Sequence, residues 1–175
     1  ILFGLSVMQP VAFVGALMHV IFHSLVKNTL FVSAGAIICK TGKTKVRQLV
    51  GIGKEMPVTM WCFTLVSLTL IGIPPTSAFV SKWYLLDAGL EAPLQVFGIA
   101  GLVVLVVSAL LTAGYLLPVV TEGFFPGRDF ITERREVGVQ MTWPMIAFAA
   151  AVVLIGLLPG GLLHWLGLLA ARLFP

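Results

Sequence analysis

His19, His23 and Lys27 stand four residues apart in a run built mostly of Val, Phe, Leu, Ile and Ala. In a helix that spacing puts successive members one turn apart on nearly the same face. Imidazole takes and releases protons near neutrality, with an unperturbed pKa of ~6.5. An amine withdrawn from water gives up its proton more readily, because desolvation penalises the charged form. A second group lies downstream. Lys82 follows Pro75 by seven residues, with the hydroxyls of Ser77 and Ser81 between them. Together these residues have the chemistry of a proton relay between Lys27 and Lys82 through His19, His23 and water. The event that switches such a relay must come from elsewhere, since the chain shows no cofactor motif: no Cys cluster, nucleotide loop or metal-ligand spacing.

The relay needs scaffolding that keeps its members from lipid. The segment Gly72-Ile73-Pro74-Pro75-Thr76-Ser77 interrupts an apolar stretch halfway along. Two consecutive prolines remove two amide donors and clash with the preceding turn, which predicts a helix broken at Gly72-Pro75. Such a break frees carbonyls on one side and amides on the other. In membranes it is tolerated where it lines a cavity or is buried in protein.

Four long apolar stretches, about 10–38, 57–86 (the broken one), 94–125 and 141–171, exceed the ~20 residues that cross a hydrocarbon core of ~30 Å. Apolar residues make up 59% of the chain and charged residues 10%. Mean hydropathy is +1.07. A water-facing surface could not be covered by so few charges. Period-2 alternation is absent, and backbone in lipid must satisfy itself internally, so the stretches are predicted helices. The expected fold class is all-α, a polytopic transmembrane helix bundle forming one membrane domain over 1–175. Gly156-Leu-Leu-Pro159-Gly160 is expected to break or end the last helix.

The net charge of +4 does not point to nucleic acid, because the basic residues cluster between apolar runs, where juxtamembrane charge is expected. Lys40, Lys43, Lys45, Arg47 and Lys54 lie between the first two stretches, and Arg128, Arg134 and Arg135 between the last two. The connection 87–93 has Asp87 and Glu91 and no basic residue. Positive charge therefore predicts cytoplasmic loops at about 39–56 and 126–140, with 87–93 and both ends outside. Cys39 and Cys62 are expected to pack as small apolar residues. The opening Ile1-Leu2-Phe3-Gly4 has no initiator Met or signal-peptide pattern and reads as the start of a fragment.

Blander readings compete at each site. Lys27 would snorkel and the histidines only bond neighbouring helices, although Lys27 lies about 16 Å of helix rise from the basic end. Placing a Lys near the bilayer centre costs roughly 2.5–3.5 kcal/mol on insertion scales. Lys82 would snorkel past Trp83 and Tyr84, an aromatic pair of interfacial type. Ser108, Thr112, Tyr115 and Pro118 read as helix packing. Glu122 reads as an interfacial acid or a proton entry point, and His164-Trp165 as part of an interfacial belt.

The run His19-Val-Ile-Phe-His23-Ser-Leu-Val-Lys27-Asn-Thr-Leu-Phe31, followed by Ala34-Gly35-Ala36, resembles the signature of the antiporter-like membrane subunits. That family includes the proton-pumping subunits of respiratory complex I, the large subunits of Mrp cation/proton antiporters and the membrane subunits of energy-converting hydrogenases. Leu49-Val-Gly51-Ile-Gly53-Lys54-Glu-Met-Pro57 and Gly72-Ile-Pro-Pro75-Thr-Ser-Ala-Phe79-Val-Ser-Lys82 continue the resemblance, and Tyr115, Pro118 and the closing helix complete it. The resemblance implies about fourteen helices with two inverted five-helix repeats, of which this chain would supply the latter part of the second. It also implies that His19, His23 and Lys27 match a polar axis along the membrane midplane, and that Lys82 matches the terminal ionisable residue on the broken helix. Lys82 with Trp83-Tyr84-Leu85 looks closer to the Mrp D-type and quinone-proximal complex I subunits than to the member with Glu there. His23 departs from several members.

The resulting expectation is proton translocation, with Na+ as a further candidate cargo, by the C-terminal part of a subunit of a multi-subunit complex in a bacterial plasma membrane. A proton-translocating oxidoreductase such as NADH:quinone oxidoreductase is one host. A non-pumping membrane scaffold, or an unrelated transporter binding a small solute at the break, remain as alternatives.

Overall fold

The computed structural model describes residues 1–92, 95–126 and 133–174. The described part of the chain is all helical. The elements are α1 (Leu2–Ser6), α2 (Pro10–Thr41), a 3-10 turn (Val46–Gln48), α3 (Ile52–Glu55), α4 (Pro57–Ile71), α5 (Ser77–Leu90), α6 (Gln95–Phe124), α7 (Val139–Leu157) and α8 (Gly160–Leu173). Of the expected connections, Pro93 and the part of 126–140 covering 127–132 lie outside the described residues.

Among the described residues, three helices are long and apolar enough to cross a membrane: Pro10–Thr41, Val96–Phe124 and Val139–Leu157. α4 and α5 are each shorter, and together they fill the second apolar stretch. The fourth stretch is divided at Leu158-Pro159, where α7 gives way to α8. The chain is a multi-pass integral membrane bundle.

Local sequence explains the ends. Pro10 and Pro57 occupy first-turn positions, where the missing N–H would have had no intrahelical partner. Gly42 and Gly72 close α2 and α4 in the left-handed region, at φ 69° and 94°. At Gly42 the backbone N–H donates to Ile38 O at 2.8 Å.

α2 is the hub, packing on α4, α5, α7 and α8. Between α2, α4 and α7 lies a layer containing Val26, Ile37, Met60, Val66, Met145 and Val152, all buried. Lipid tails are as apolar as these side chains, so close fit holds the layer together more than any exclusion of water. α6 runs along the outside with Val103, Val104, Leu110 and Leu111 exposed.

Cys62 is buried, as expected of a small apolar residue, whereas Cys39 is exposed near the end of α2. The reading of Cys39 as packed is corrected: it falls on the open face of α2's last turn. His164 and Trp165 are both exposed on α8.

Candidate functional site

The helix break forms the floor of the site. Gly72 N–H and Ile73 N–H both donate to Leu68 O at 3.1 Å, which ends α4. Thr76 N-caps α5, and its hydroxyl donates to Ile73 O at 2.6 Å. The Pro74–Pro75 peptide is cis. Leu70 O and Ile71 O are left without helical partners, as at any helix C-terminus.

Lys82 takes both of them. Its Nζ donates to Ile71 O at 2.7 Å and to Leu70 O at 3.1 Å. Helical side chains lean towards their own N-terminus, so a long side chain one and a half turns into α5 reaches back across the break. The ammonium sits at the negative end of the α4 dipole, where a cation is favoured. The side chain is half-buried and does not run outward past Trp83 and Tyr84. Trp83 is instead exposed, with its ring centroid 5.9 Å from that of Phe79.

His19 reaches α5 from α2. His19 Nδ1 lies 3.0 Å from Ser81 Oγ, which is buried and donates to Ala78 O at 3.0 Å. A serine hydroxyl has one proton. When that proton is on Ala78 O, His19 Nδ1–H donates to Ser81 and a neutral ring has its lone pair on Nε2; in the other tautomer His19 Nδ1 accepts from the Ser81 hydroxyl. His19 and Lys82 line a common cavity of about 200 Å³, which Ser108 of α6 also lines. A second cavity of about 300 Å³ is lined by Gly72, Lys82 and Trp83, so that Lys82 borders both.

The remaining members of the expected stripe are less tightly gathered. The His19 and His23 ring centroids are 5.8 Å apart. Lys27, half-buried, lies about 12 Å of helix rise beyond His19. Its Nζ is 6.0 Å from the ring centroid of Phe31, itself 71% exposed. Ser77 Oγ is buried without a hydrogen-bond partner among the described residues. The structure therefore brings His19 and Lys82 to one cavity, ties Ser81 to His19, keeps His23 one turn away, and sets Lys27 and Ser77 apart from it.

Three residues take places that sequence reasoning did not assign. Ser108, read as packing, lines the His19–Lys82 cavity; the signal was its standing as the sole hydroxyl in 96–111. Gly156 of α7 lies against the break: a Cβ there would come within 2.5 Å of Ser77 N and 2.7 Å of Pro75 O. Glu136 caps the far end of α4. Its Oε2 accepts from Val58 N–H at 2.9 Å and its Oε1 from the Thr59 hydroxyl. Sequence gave no sign of a cap drawn from 78 residues away. Glu122, exposed near the end of α6, contributes its backbone carbonyl to Gly51 N–H at 3.0 Å. No cluster of potential metal ligands occurs among the described residues.

The family described as NADH:quinone oxidoreductase/Mrp antiporter, TM, matches residues 1–112. The chain belongs to this family. It is similar to NADH-quinone oxidoreductase subunit N of Desulforudis audaxviator, with 40% identity over 173 residues, covering 90% of this chain and 33% of the relative. The Mrp complex of a Dietzia species contains a chain with a TM-score of 0.84 and 25% identity, covering 98% of this chain and 39% of that one. Respiratory complex I from Thermus thermophilus shares the fold, with a TM-score of 0.78 and 20% identity over 99% of this chain and 36% of that one. The chain spans about a third of the length of the curated relative. Family membership replaces the reading as an unrelated solute transporter.

Proposed function

We propose that this chain forms the C-terminal part of a proton-translocating, antiporter-like subunit, in which Lys82 is the terminal proton carrier at the helix break. The observation that carries the reading is the Lys82 ammonium on Ile71 O and Leu70 O, beside a cavity that it shares with His19. An amine held by backbone at a break, sharing a cavity with an imidazole, is a geometry for handing over a proton. Lys27 and His23 feed that site along α2, and Ser77 and Ser81 serve as hydroxyls beside it. Protons leave past Lys82 towards the side opposite the basic loop, which faces the cytoplasm. The rest of the subunit covers the open face around Lys27.

The partners are the other subunits of a membrane complex, of the quinone-oxidoreductase or the Mrp type that the relatives' names describe. H+ is the cargo, with Na+ a second candidate, and the driving event comes from those subunits.

The test uses the full complex in sealed vesicles, with Lys82→Met and Lys27→Met made separately. Loss of proton translocation in both, with assembly intact, supports the relay. Wild-type translocation by Lys82→Met would falsify the assignment of Lys82. Translocation unaffected by either change would leave the chain as a scaffold.

A further inference from the structure

The backbone oxygens at the helix break fall into two sets. Leu68 O and Ile73 O accept from the chain's own backbone: Leu68 O from the amides of Gly72 and Ile73, and Ile73 O from the amide of Thr76, whose hydroxyl it also receives. Leu70 O and Ile71 O have no such donors. In a continuous helix each would accept from the amide four residues on, and those residues are Pro74 and Pro75, which carry no N–H. The proline pair therefore strips its helical donors from one pair of adjacent carbonyls, and that pair is the one Lys82 Nζ occupies, at 3.1 Å and 2.7 Å.

Two carbonyls at the negative end of a helix dipole make a place for a cation. At broken helices in membranes, unwound carbonyls and half-helix C-termini are the groups that coordinate Na+ or H+. The surroundings leave room for an ion, since the cavities of about 200 and 300 Å³ both reach the Lys82 side chain. Gly72 keeps the spot open, because a Cβ there would stand 3.1 Å from Nζ. Neither cavity has a carboxylate among its lining residues. Dipoles without a negative charge suit a monovalent cation, whereas Ca2+ and Mg2+ draw on carboxylates.

We propose that Leu70 O and Ile71 O form a seat for one monovalent cation, which the tethered ammonium of Lys82 fills, so that Lys82 excludes Na+ from the break and sets the cargo there as H+. The amine reaches the seat as an intramolecular ligand, while Na+ must come from solution and exchange its hydration shell for carbonyls. Lys82 is thus a specificity-determining residue as well as a carrier. The inference rests on the assignment of Lys82 as the proton carrier.

The test counts radioactive Na+ bound to the intact purified complex by scintillation proximity, for wild type, Lys82→Ala and Lys82→Arg. Lys82→Ala should hold one Na+ per complex more than wild type. Lys82→Arg keeps a cation on the carbonyls and should hold no more than wild type. In thermal unfolding, replacing choline chloride by NaCl at constant ionic strength should raise the midpoint of Lys82→Ala by more than that of wild type, as a ligand bound to the folded state does. Equal Na+ content in Lys82→Ala and wild type, or the same gain in Lys82→Arg, overturns the proposal.

Should Lys82→Ala assemble poorly, Lys82→Ser, which brings a hydroxyl oxygen to the seat, is solubilised beside it in NaCl and in choline chloride. Recovery of intact complex in NaCl but not in choline supports a Na+ on the carbonyls, and equal loss in both rejects it. Proton translocation measured on the same variants separates the two readings. Its loss without a gain in Na+ removes the seat and leaves the relay, whereas a gain in Na+ with translocation intact keeps the seat and removes Lys82 from the relay.

Discussion

Lys82 closes the end of the preceding helix: its ammonium lies 2.7 Å from the carbonyl oxygen of Ile71, eleven residues earlier in the chain. α4 thus ends on a cation and begins on an anion, since Glu136 caps Val58 and Thr59 at the other end. Both charges complement the helix dipole. A fifteen-residue helix inside a membrane bundle is fixed at each tip by a side chain from another element.

Gly72 makes the Lys82 contact possible. Its φ of 94° is in the region that suits residues without a Cβ, and a Cβ would stand 3.0 Å from Lys82 Cδ and 3.1 Å from Nζ. Gly72→Ala should cost about 1–2 kcal/mol from the backbone alone, and should also displace the ammonium. Thermal unfolding of the complex should fall and proton transport should drop with it. A variant with wild-type transport would show that the ammonium's position at the break is dispensable.

The His19–Ser81 bond should behave as a coupled pair. Ser81→Ala and His19→Ala each remove the contact, so the double variant should be less destabilised than the sum of the singles. The expected coupling is about 0.5–1.5 kcal/mol, the net worth of one hydrogen bond. Strict additivity in denaturation of the intact complex would mean that the two side chains do not interact in the membrane.

Gly156 lets α7 touch the break. Gly156→Val would drive side-chain atoms into the backbone of Pro75 and Ser77, neither of which can rotate away. Overpacking of that kind costs typically about 1–3 kcal/mol. The variant should lose thermal stability, and Gly156→Ala should show a smaller loss in the same assay. Equal stability of all three proteins would indicate that α7 does not abut the break.

Glu136 should matter more as an acceptor than as a charge. Glu136→Ala leaves the Val58 amide and the Thr59 hydroxyl without it, at about 0.5–2 kcal/mol, the usual range for a lost N-terminal cap. Glu136→Gln keeps one acceptor oxygen for the Val58 amide, while the Thr59 hydroxyl must turn to accept from the new NH2, and it should lose less than Glu136→Ala, about 0.3–1 kcal/mol. Chemical denaturation of the three proteins ranks them. The reverse order would make the contact chiefly electrostatic.

The fold was legible because membranes restrict it. Apolar runs near the length of a bilayer must be helices, and Pro74-Pro75 must break one. The division at Pro159 was legible for the same reason. Within the site, the four-residue stripe identified which residues share a face of α2 but not where a side chain one and a half turns into α5 would point. That depended on the lean of helical side chains combined with the angle of the break, and the angle is tertiary information. Glu136, Gly156 and Ser108 were hidden for a related reason. Each acts on an element distant in sequence, and each is of a type common on any membrane helix or loop.

The position of the break has an electrical consequence. α4 rises only about 22 Å, less than the ~30 Å of hydrocarbon that separates the two aqueous phases. With the basic loop at one face of the bilayer, as proposed, an ammonium at its far tip stands inside the membrane potential, not at the edge of it. Moving one charge through the whole potential is worth about 2.3 kcal/mol per 100 mV, and in the proposed relay a proton released from that tip would cross only the remaining fraction. The depth of Gly72 in the bilayer therefore sets how much of the voltage acts before the amine is reached and how much afterwards.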